Sequence, residues 1–413
     1  MAPQMRPSAM RWWMLMLLSL GFVELTLNWF DIAAAFPQIG AQFRLGVPEL
    51  ALLISLFLAG YGLFHIPTGF LAARVGLRRI LLAGLLLESV CGALSGLAPN
   101  YAALAVLRLI TGIGGSLFVG TGFAGVTAWF RGRQLALAQG ISGGAGFAIG
   151  AAIGLYVWVG VIQALTWPGA MMAGGAVGLL IWLVNVVWLR FPAEERDQLA
   201  AQNLNWTSVG RVLRNRNLWL YGLSTLGAYG AYFTASQLMA GYAGTTLKLG
   251  SAAALLAAVI VLAGIPGSVV GGILSDRAGN RKLFIVGAVL LVGVSLLLVP
   301  VAGVVLIWIL ASVVGFFMIF GFAAFTSVPG DFPDAIPPPD VATAEGLLLT
   351  ILAVGGFLVP IGFGQFVAVS GYTSAWLFLG VVTVLFGLVG LLARDPFKTL
   401  RTTGQSTVKE VPR

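Results

Sequence analysis

Long apolar runs separated by short polar breaks constrain the fold of this 413-residue chain more than any other feature. A helix needs about 20 apolar residues to cross the hydrocarbon core of a bilayer, and the runs have that character. Charged residues make up only 9% of the chain, against about 25% in a soluble domain, so lipid must be the solvent for most of its surface. The runs are too long and too continuous for the strands of a membrane barrel.

Helices are required because each backbone polar group in lipid must be satisfied within its own segment. The sequence therefore predicts an all-α membrane protein with twelve transmembrane helices. The predicted spans are residues 12–36, 48–73, 80–97, 101–129, 134–160, 168–190, 217–243, 251–275, 283–300, 304–328, 341–369 and 373–393.

Lysine and arginine are concentrated on one side of these spans. Arg108 lies within a span, and only Arg44 and Lys248 fall in loops opposite the termini, so the other 20 of the 23 cations share the side of both termini. This bias predicts a multi-pass protein of a bacterial cytoplasmic membrane with both termini cytoplasmic. It also explains the net charge of +9 as topology and contact with anionic lipid, and not as nucleic-acid binding.

The longest internal polar stretch divides the spans into two sets of six. We expect a first half at 1–190, a cytoplasmic linker at 191–216, a second half at 217–393 and a cytoplasmic tail at 394–413. A repeat supports this division, because the loops after the second and eighth spans match at a distance of 203 residues. They read Gly69-x3-Ala73-Arg74-x-Gly76-x-Arg78-Arg79 and Gly272-x3-Asp276-Arg277-x-Gly279-x-Arg281-Lys282. Duplicated halves of this kind are an alternating-access architecture.

The second loop copy resembles the signature loop of the major facilitator superfamily. The fourth span, with Arg108 followed by small residues up to Gly114, is similar to that superfamily's second signature. The resemblance implies two six-helix halves and secondary transport by alternating access. We expect a monomer without cofactors whose partners are a small-molecule substrate, protons and membrane lipid. Ala73 is a departure, because the superfamily has an acidic residue at this position of the first copy.

The two loops are the predicted gate. Their cations suit helix C-termini and anionic headgroups, although setting the topology is an alternative role. In the superfamily, the acid missing at Ala73 favours the inside-closed gate by lying against the eleventh helix. We expect Asp340 and Glu345 to replace it and to pair with Arg74 or Arg78, with ordinary helix capping as the alternative. The gate candidates are Gly69, Arg74, Arg78, Arg79, Gly272, Asp276, Arg277, Arg281, Asp340 and Glu345.

Ionisable residues inside a span are candidates for function, because a charge there costs at least about 2.5–3.5 kcal/mol. Glu24, Asn28 and Asp31 share one face of the first span, which we expect to line the central cavity. Arg108 lies at the depth of Asp31, so the sequence predicts that the two pair and that protonation of the carboxylate breaks the pair. The alternative is a static salt bridge between the first and fourth spans.

Other polar residues are weaker candidates. Tyr229, Tyr232, Ser236 and Gln237 follow one side of the seventh span and suit substrate binding, with aromatic packing as the alternative. His65 is a possible proton site or a hydrogen-bonded packing residue. Glu88 is another possible proton site, although the third span of the superfamily usually lies outside the cavity.

The leading hypothesis is a proton-coupled secondary transporter of a small solute. A primary pump is disfavoured because the chain has no phosphate-binding Gly-x4-Gly-Lys-Ser/Thr loop. One histidine and one cysteine supply neither a metal site nor a catalytic cluster, so we expect no enzyme. The alternatives are a small-anion porter or exchanger of carboxylate or nitrate/cyanate type, and a transport-dead receptor.

The glycines of the fifth span resemble those of the nitrate/nitrite and cyanate porters. However, those nitrate porters hold their anion between arginines of the second and eighth spans, and neither span has one here. We therefore interpret Gly140, Gly150 and the glycines between them as sites of close helix packing.

Overall fold

The computed structural model describes residues 8–130, 133–192, 206–332, 336–337 and 340–395, and across these ranges the chain is helical without β-strands. Every predicted span falls on a helix, which confirms the all-α membrane fold. The α-helices are α1 (Ser8–Phe43), α2 (Val47–Leu63), α3 (His65–Val75), α4 (Leu77–Ser95), α5 (Tyr101–Trp129), α6 (Arg133–Gln139), α7 (Phe147–Ala152), α8 (Trp158–Trp188), α9 (Trp206–Leu213), α10 (Arg216–Thr245), α11 (Ala252–Leu262), α12 (Gly264–Ala278), α13 (Arg281–Leu298), α14 (Val304–Phe325) and α15 (Val341–Val389).

Two of these helices each contain a sharp turn between consecutive spans. The backbone leaves the helical region at Thr166 in α8 (φ 60°) and at Gly371 in α15 (φ 81°). Seven helical segments of the described chain are long and apolar enough to cross a membrane. Two of the seven, Leu137–Trp188 and Thr343–Leu392, are 52 and 50 residues long, which is enough for two crossings each.

The second and eighth spans are broken in the middle, which was not predicted from the sequence. α2 ends at Leu63 and α3 begins at His65, while α11 ends at Leu262 and α12 begins at Gly264. Each break lies just before a proline, Pro67 or Pro266, whose ring clashes with the carbonyl four residues earlier and kinks a helix there. The two halves therefore share a proline-induced bend in corresponding spans.

Two left-handed turns also recur between the halves. Gly76 and Gly279, which are equivalent in the two gate loops, have φ of 104° and 59°. Glycine adopts such values without a steric penalty, which explains the choice of residue at both positions. Arg44 and Lys248, in the corresponding loops at the opposite end, have φ of 56° and 55°.

The first span is enclosed by the rest of the bundle, whereas the outer surface is apolar. Phe22, Trp29 and Phe30 on α1 have no exposed area, while Val305 and Val369 on the outside are 76% and 82% exposed. Such a surface is stable only where the solvent is itself apolar. The interior can therefore hold polar side chains that lipid would exclude.

The halves meet closely at one end of the bundle. We call the end that carries Ser8 and Arg394 the terminal end, and the end with the 43–47 and 245–252 loops the far end. A methyl group on Gly364 of the eleventh span would lie 3.1 Å from the Cβ of Ala51 near the far end of the second span. Further along, one on Gly62 would overlap the Cβ of Ala353. We interpret the structure as closed at the far end.

A disulfide between the halves tests this closure. In a Cys91→Ser background, the pair Ala51→Cys/Gly364→Cys should cross-link under mild oxidant, because disulfides need a Cβ separation of about 3.8 Å. Cross-linking is scored as fragments that stay joined after cleavage at a protease site placed in the 191–216 segment. The control pair is Arg74→Cys/Glu345→Cys at the terminal end, where both residues are exposed. Faster cross-linking of the control pair would contradict a closed far end.

Candidate transport site

The polar face of the first span lies against the third and sixth spans of the same half. Ser89 on α4 donates a hydrogen bond to Glu24 Oε1 at 2.7 Å. A methyl group on Gly178 of the sixth span would lie 2.7 Å from the same oxygen, and one on Gly174 would lie 3.0 Å from Asp31 Oδ2. The expectation that this face lines the central cavity is therefore wrong.

The three polar residues of the first span are almost completely buried and only partly hydrogen-bonded. Asn28 Nδ2 donates to Glu24 Oε1 at 3.2 Å. Within the described chain, Glu24 Oε2, Asn28 Oδ1 and Asp31 Oδ1 have no hydrogen-bond partner. A buried acceptor without a partner costs about 1–3 kcal/mol, and more when it is charged. Protonation turns a carboxyl oxygen into a donor, so the carboxyl groups of Glu24 and Asp31 are suited to bind protons.

Arg108 of the fourth span binds the backbone of the first span. Its Nη1 and Nη2 donate to the carbonyl oxygens of Asn28 and Trp29, each at 2.9 Å. Among the residues that the structure describes, no ion pair joins Arg108 to Asp31, so the predicted pair is not formed in this conformation. Helical spacing indicates the depth of a residue, but the Asp31 carboxylate faces the sixth span while Arg108 approaches from the fourth.

Glu88 adds a third buried carboxyl group to this half. It is fully buried on α4, and neither of its carboxylate oxygens has a hydrogen-bond partner in the described ranges. Its Cβ lies 3.0 Å from the position that a methyl group on Gly114 of the fourth span would occupy. Although it lies on a peripheral span, Glu88 is thus inside the half and not on its lipid surface. We refer to Glu24, Asp31, Glu88 and Arg108 as the buried charge cluster.

His65 lies at the break of the second span. It is the first residue of α3, and its Nδ1 is 3.4 Å from Ser116 Oγ on the fourth span. Its ring contacts Tyr61 edge-on, with the centroids 4.5 Å apart. The residue is half-buried and packed. These contacts suit the packing alternative, and a role in proton transfer stays a prediction.

The candidates of the seventh span are buried beside Phe233. Tyr229 and Tyr232 contact its ring at centroid distances of 4.8 and 5.1 Å. Ser236 Oγ and Gln237 Nε2 donate to its backbone carbonyl at 3.2 and 3.3 Å. In this conformation the tyrosines are packed against an aromatic ring, which suits the packing alternative. Gln237 Oε1 is buried without a hydrogen-bond partner in the described chain.

An aromatic stack between the halves was not predicted from the sequence. Trp29 of the first span stacks on Phe57 of the second span at 4.5 Å and on Phe233 of the seventh span at 4.7 Å. Aromatic residues are common in spans, so none of the three stood out. The available signal was the position of Trp29, directly after Asn28 in the polar stretch of the first span.

Cations of both gate loops bind the C-terminal ends of helices, as predicted from the sequence. In the first copy, Arg78 donates to the backbone carbonyls of Val186 and Leu189 at the end of the sixth span, at 2.5 and 2.9 Å. In the second copy, the Nζ of Lys282 donates to the carbonyl of Leu391 at the end of the twelfth span. Both contacts place a cation at the negative end of a helix dipole.

Acidic partners distinguish the second gate loop from the first. Arg281 pairs with Asp276 at 2.5 Å and with Asp331, which follows the tenth span, at 2.7 Å. A methyl group on Gly272 would meet nothing within 4 Å, so this glycine makes no close helix contact here. Three other gate candidates are exposed, namely Gly69, Arg79 and Arg277.

Asp340 pairs with a residue that was not among the sequence candidates. Arg211 of α9 binds it with two hydrogen bonds, of 2.7 Å from Nε and 2.9 Å from Nη2. Its hydrogen bond to Asp340 raises the pKa of Arg211 above its ordinary value. Arg74 and Glu345 are exposed, and Arg78 is bound to backbone carbonyls, so the expected latch is not formed in this conformation.

Comparison with known proteins identifies the family. A model of the Major Facilitator Superfamily matches residues 17–335, which is most of the chain. The chain therefore belongs to the major facilitator superfamily and is a membrane transporter, which confirms the family predicted from the gate loops. The chain is also similar to a solved structure, a bacterial homolog of the human lysosomal transporter Spinster in an inward-facing and unoccupied conformation. The superposition covers 98% of this chain and all of the solved chain, with a TM-score of 0.71. At 16% sequence identity, the similarity shows the fold alone.

Two curated relatives cover most of the chain. The probable sulfoacetate transporter of Cupriavidus necator is 28% identical over 382 residues, which is 83% of this chain and 84% of the relative. The probable nitrate/nitrite antiporter of Thermus thermophilus is 26% identical over 427 aligned positions, which is 96% of this chain and 92% of the relative. Both are named as carriers of small molecules.

A substitution in the sixth span tests the packing around Glu24. A methyl group on Gly178 would overlap Ser89 Oγ and lie 2.7 Å from Glu24 Oε1, so Gly178→Ala must displace their hydrogen bond. Overpacking of this kind costs about 1–3 kcal/mol, and the melting temperature in detergent should fall. Gly160→Ala is the matched control, because a methyl group there meets nothing within 4 Å. Equal melting temperatures for the two variants would contradict the arrangement.

Proposed function

We propose that this protein is a proton-coupled secondary transporter of small anions that works by alternating access. The observation that carries the proposal is the buried charge cluster, in which three carboxyl groups and one guanidinium lie inside a single six-helix half. Their side chains are enclosed among the first, third, fourth and sixth spans, and the Arg108 guanidinium also contacts Phe57 of the second span.

The charge balance of the cluster argues for protons. With all four groups ionised, the half would hold two uncompensated negative charges in a medium where a single charge costs at least about 2.5–3.5 kcal/mol. Protonation of carboxyl groups removes that excess, and it changes what Glu24, Asp31 and Glu88 can donate or accept. A conformation that binds the protons better is favoured when protons are supplied from one side.

The relatives support an anionic substrate. Sulfoacetate, nitrate and nitrite are the compounds in their names, and all are anions at neutral pH. Moving one elementary charge across the bilayer against the membrane potential costs about 2.3 kcal/mol for each 100 mV. Movement of protons together with an anion reduces the net charge that crosses, and therefore this cost. Arg108, which is not paired with a carboxylate here, and the half-buried His65 are candidates to attract such an anion.

The bias of lysine and arginine toward the loops of the terminal end supports an orientation of the protein in the membrane. We place the terminal end in the cytoplasm, with residues 1–190 and 217–393 as the two moving halves and 191–216 as the linker. The gate loops then lie on the cytoplasmic side, where their cations meet anionic lipid. In this orientation the structure is an inward-facing state, and transport requires the far end to open in turn.

Carboxyl substitutions test the coupling. In proteoliposomes that contain a pH-sensitive dye, sulfoacetate, nitrate and nitrite are supplied in turn with and without a pH gradient. Asp31→Asn and Glu24→Gln should reduce gradient-driven uptake about 5- to 150-fold, the usual range of coupling between sites, and spare substrate exchange. The neutral side chains mimic the protonated state.

Glu49→Gln is the control for these variants, because this half-buried carboxylate lies outside the buried charge cluster and accepts a hydrogen bond from the backbone N–H of Gly46 in the 43–47 loop. It should behave as the wild type. If the Asp31→Asn and Glu24→Gln variants, singly and together, show the same proton-driven uptake as the wild type, both residues are structural polar groups without a role in coupling. If the wild type takes up an anion at the same rate with and without the pH gradient, the proposed proton coupling is wrong.

A further inference from the structure

The aromatic stack connects the two halves through Trp29, and the ring of Phe30 also lies near Phe233, with the centroids 6.2 Å apart. Trp29 lies on the first span of one half, and Phe233 lies on the seventh span of the other half, with their rings tilted by only 13°. Trp29 has no exposed area, so the contact is closed to solvent in this conformation. Stacked aromatic pairs are worth about 0.5–1.5 kcal/mol beyond the area they bury.

The same side chain is connected to the buried charge cluster in two ways. Arg108 Nη2 donates to the backbone carbonyl of Trp29 at 2.9 Å, which fixes the main chain there. The guanidinium carbon of Arg108 also lies 4.9 Å from the ring centroid of Phe57, within the range of a cation–π contact. Phe57 in turn stacks on Trp29 at 4.5 Å. The order of contacts is Arg108, Phe57, Trp29, Phe233.

We infer that Trp29 is the positioning residue that transmits the state of the buried charge cluster to the contact between the halves. A change of charge beside Arg108 alters how firmly the guanidinium is held, and therefore the position of the Trp29 backbone and of Phe57. The ring of Trp29 then stacks on Phe233 or leaves it. Closure of the far end depends in part on this stack, because it ties the first span to the seventh next to the contacts between the second and eleventh spans.

This inference rests on the proposed alternating access and on a change of charge in the buried charge cluster, but not on any substrate. Its test therefore measures conformation alone. Spin labels on Ala41→Cys and Thr246→Cys, two exposed positions at the far end of the first and seventh spans, report the separation of the halves in the Cys91→Ser protein. Distances are measured on purified protein without a substrate or a pH gradient.

Loss of the stack should open the far end. Trp29→Leu and Phe233→Leu should each raise the ratio of long to short label distances by about twofold to tenfold, the range set by one aromatic pair. The double variant should add little to either single change, because both remove the same contact. Phe57→Leu should produce a shift in the same direction, since it breaks the link from Arg108 to Trp29.

Trp376→Leu is the matched control. Trp376 is also fully buried, and its ring contacts Tyr242 and Phe363 of its own half. Its removal should leave the distances unchanged. Unchanged distances in folded Trp29→Leu and Phe233→Leu proteins would overturn the role of Trp29 in closure. A shift in those variants without one in Phe57→Leu would overturn the transmission from Arg108. If Trp29→Leu does not fold, Phe233→Leu alone decides whether the stack holds the far end closed.

Discussion

The cost of charge in a lipid-solvated protein determines how this transporter is arranged. Glu24, Asp31, Glu88 and Arg108 all lie in the first half, and each has at most 2% of its surface exposed. Lipid offers them no hydrogen bonds, so the surrounding helices must supply partners or the groups must change their protonation. Glycines at the fourth and sixth spans let those helices approach the cluster closely. The dense packing of the first half thus follows from the charges it contains.

The two halves share a fold but differ in the polar residues that they bury. Both have a proline-induced break in the middle of a span, a left-handed glycine in the gate loop and a cation on a helix end. The buried charge cluster has no counterpart among the described spans of the second half, which contributes Phe233 to the contact between the halves instead. We therefore propose that the first half senses protons and that the second half responds through the aromatic stack.

Apolar run length, loop charge and the repeat were enough to predict the helices, the family and the buried residues Glu24, Asn28, Asp31 and Arg108 from sequence. Their orientation was not predictable, because spacing along a helix gives depth and a common face but not which neighbour that face meets. In the structure the polar face of the first span lies against the third and sixth spans. Arg108 donates to the backbone carbonyls of Asn28 and Trp29 and does not pair with Asp31. The pairing of Asp340 with Arg211 depends on where α9 docks, which no local pattern encodes.

We propose above all that protonation of the buried charge cluster shifts the equilibrium between the far-end-closed and the far-end-open state. Distances between the Ala41→Cys and Thr246→Cys labels, followed as the pH is lowered, test this most directly. We expect the populations of the far-end-closed and far-end-open states to change with pH in the wild type. We expect no such change in the Glu24→Gln/Asp31→Asn/Glu88→Gln variant. Populations that are independent of pH in the wild type, or an equal pH response in the triple variant, would contradict the claim.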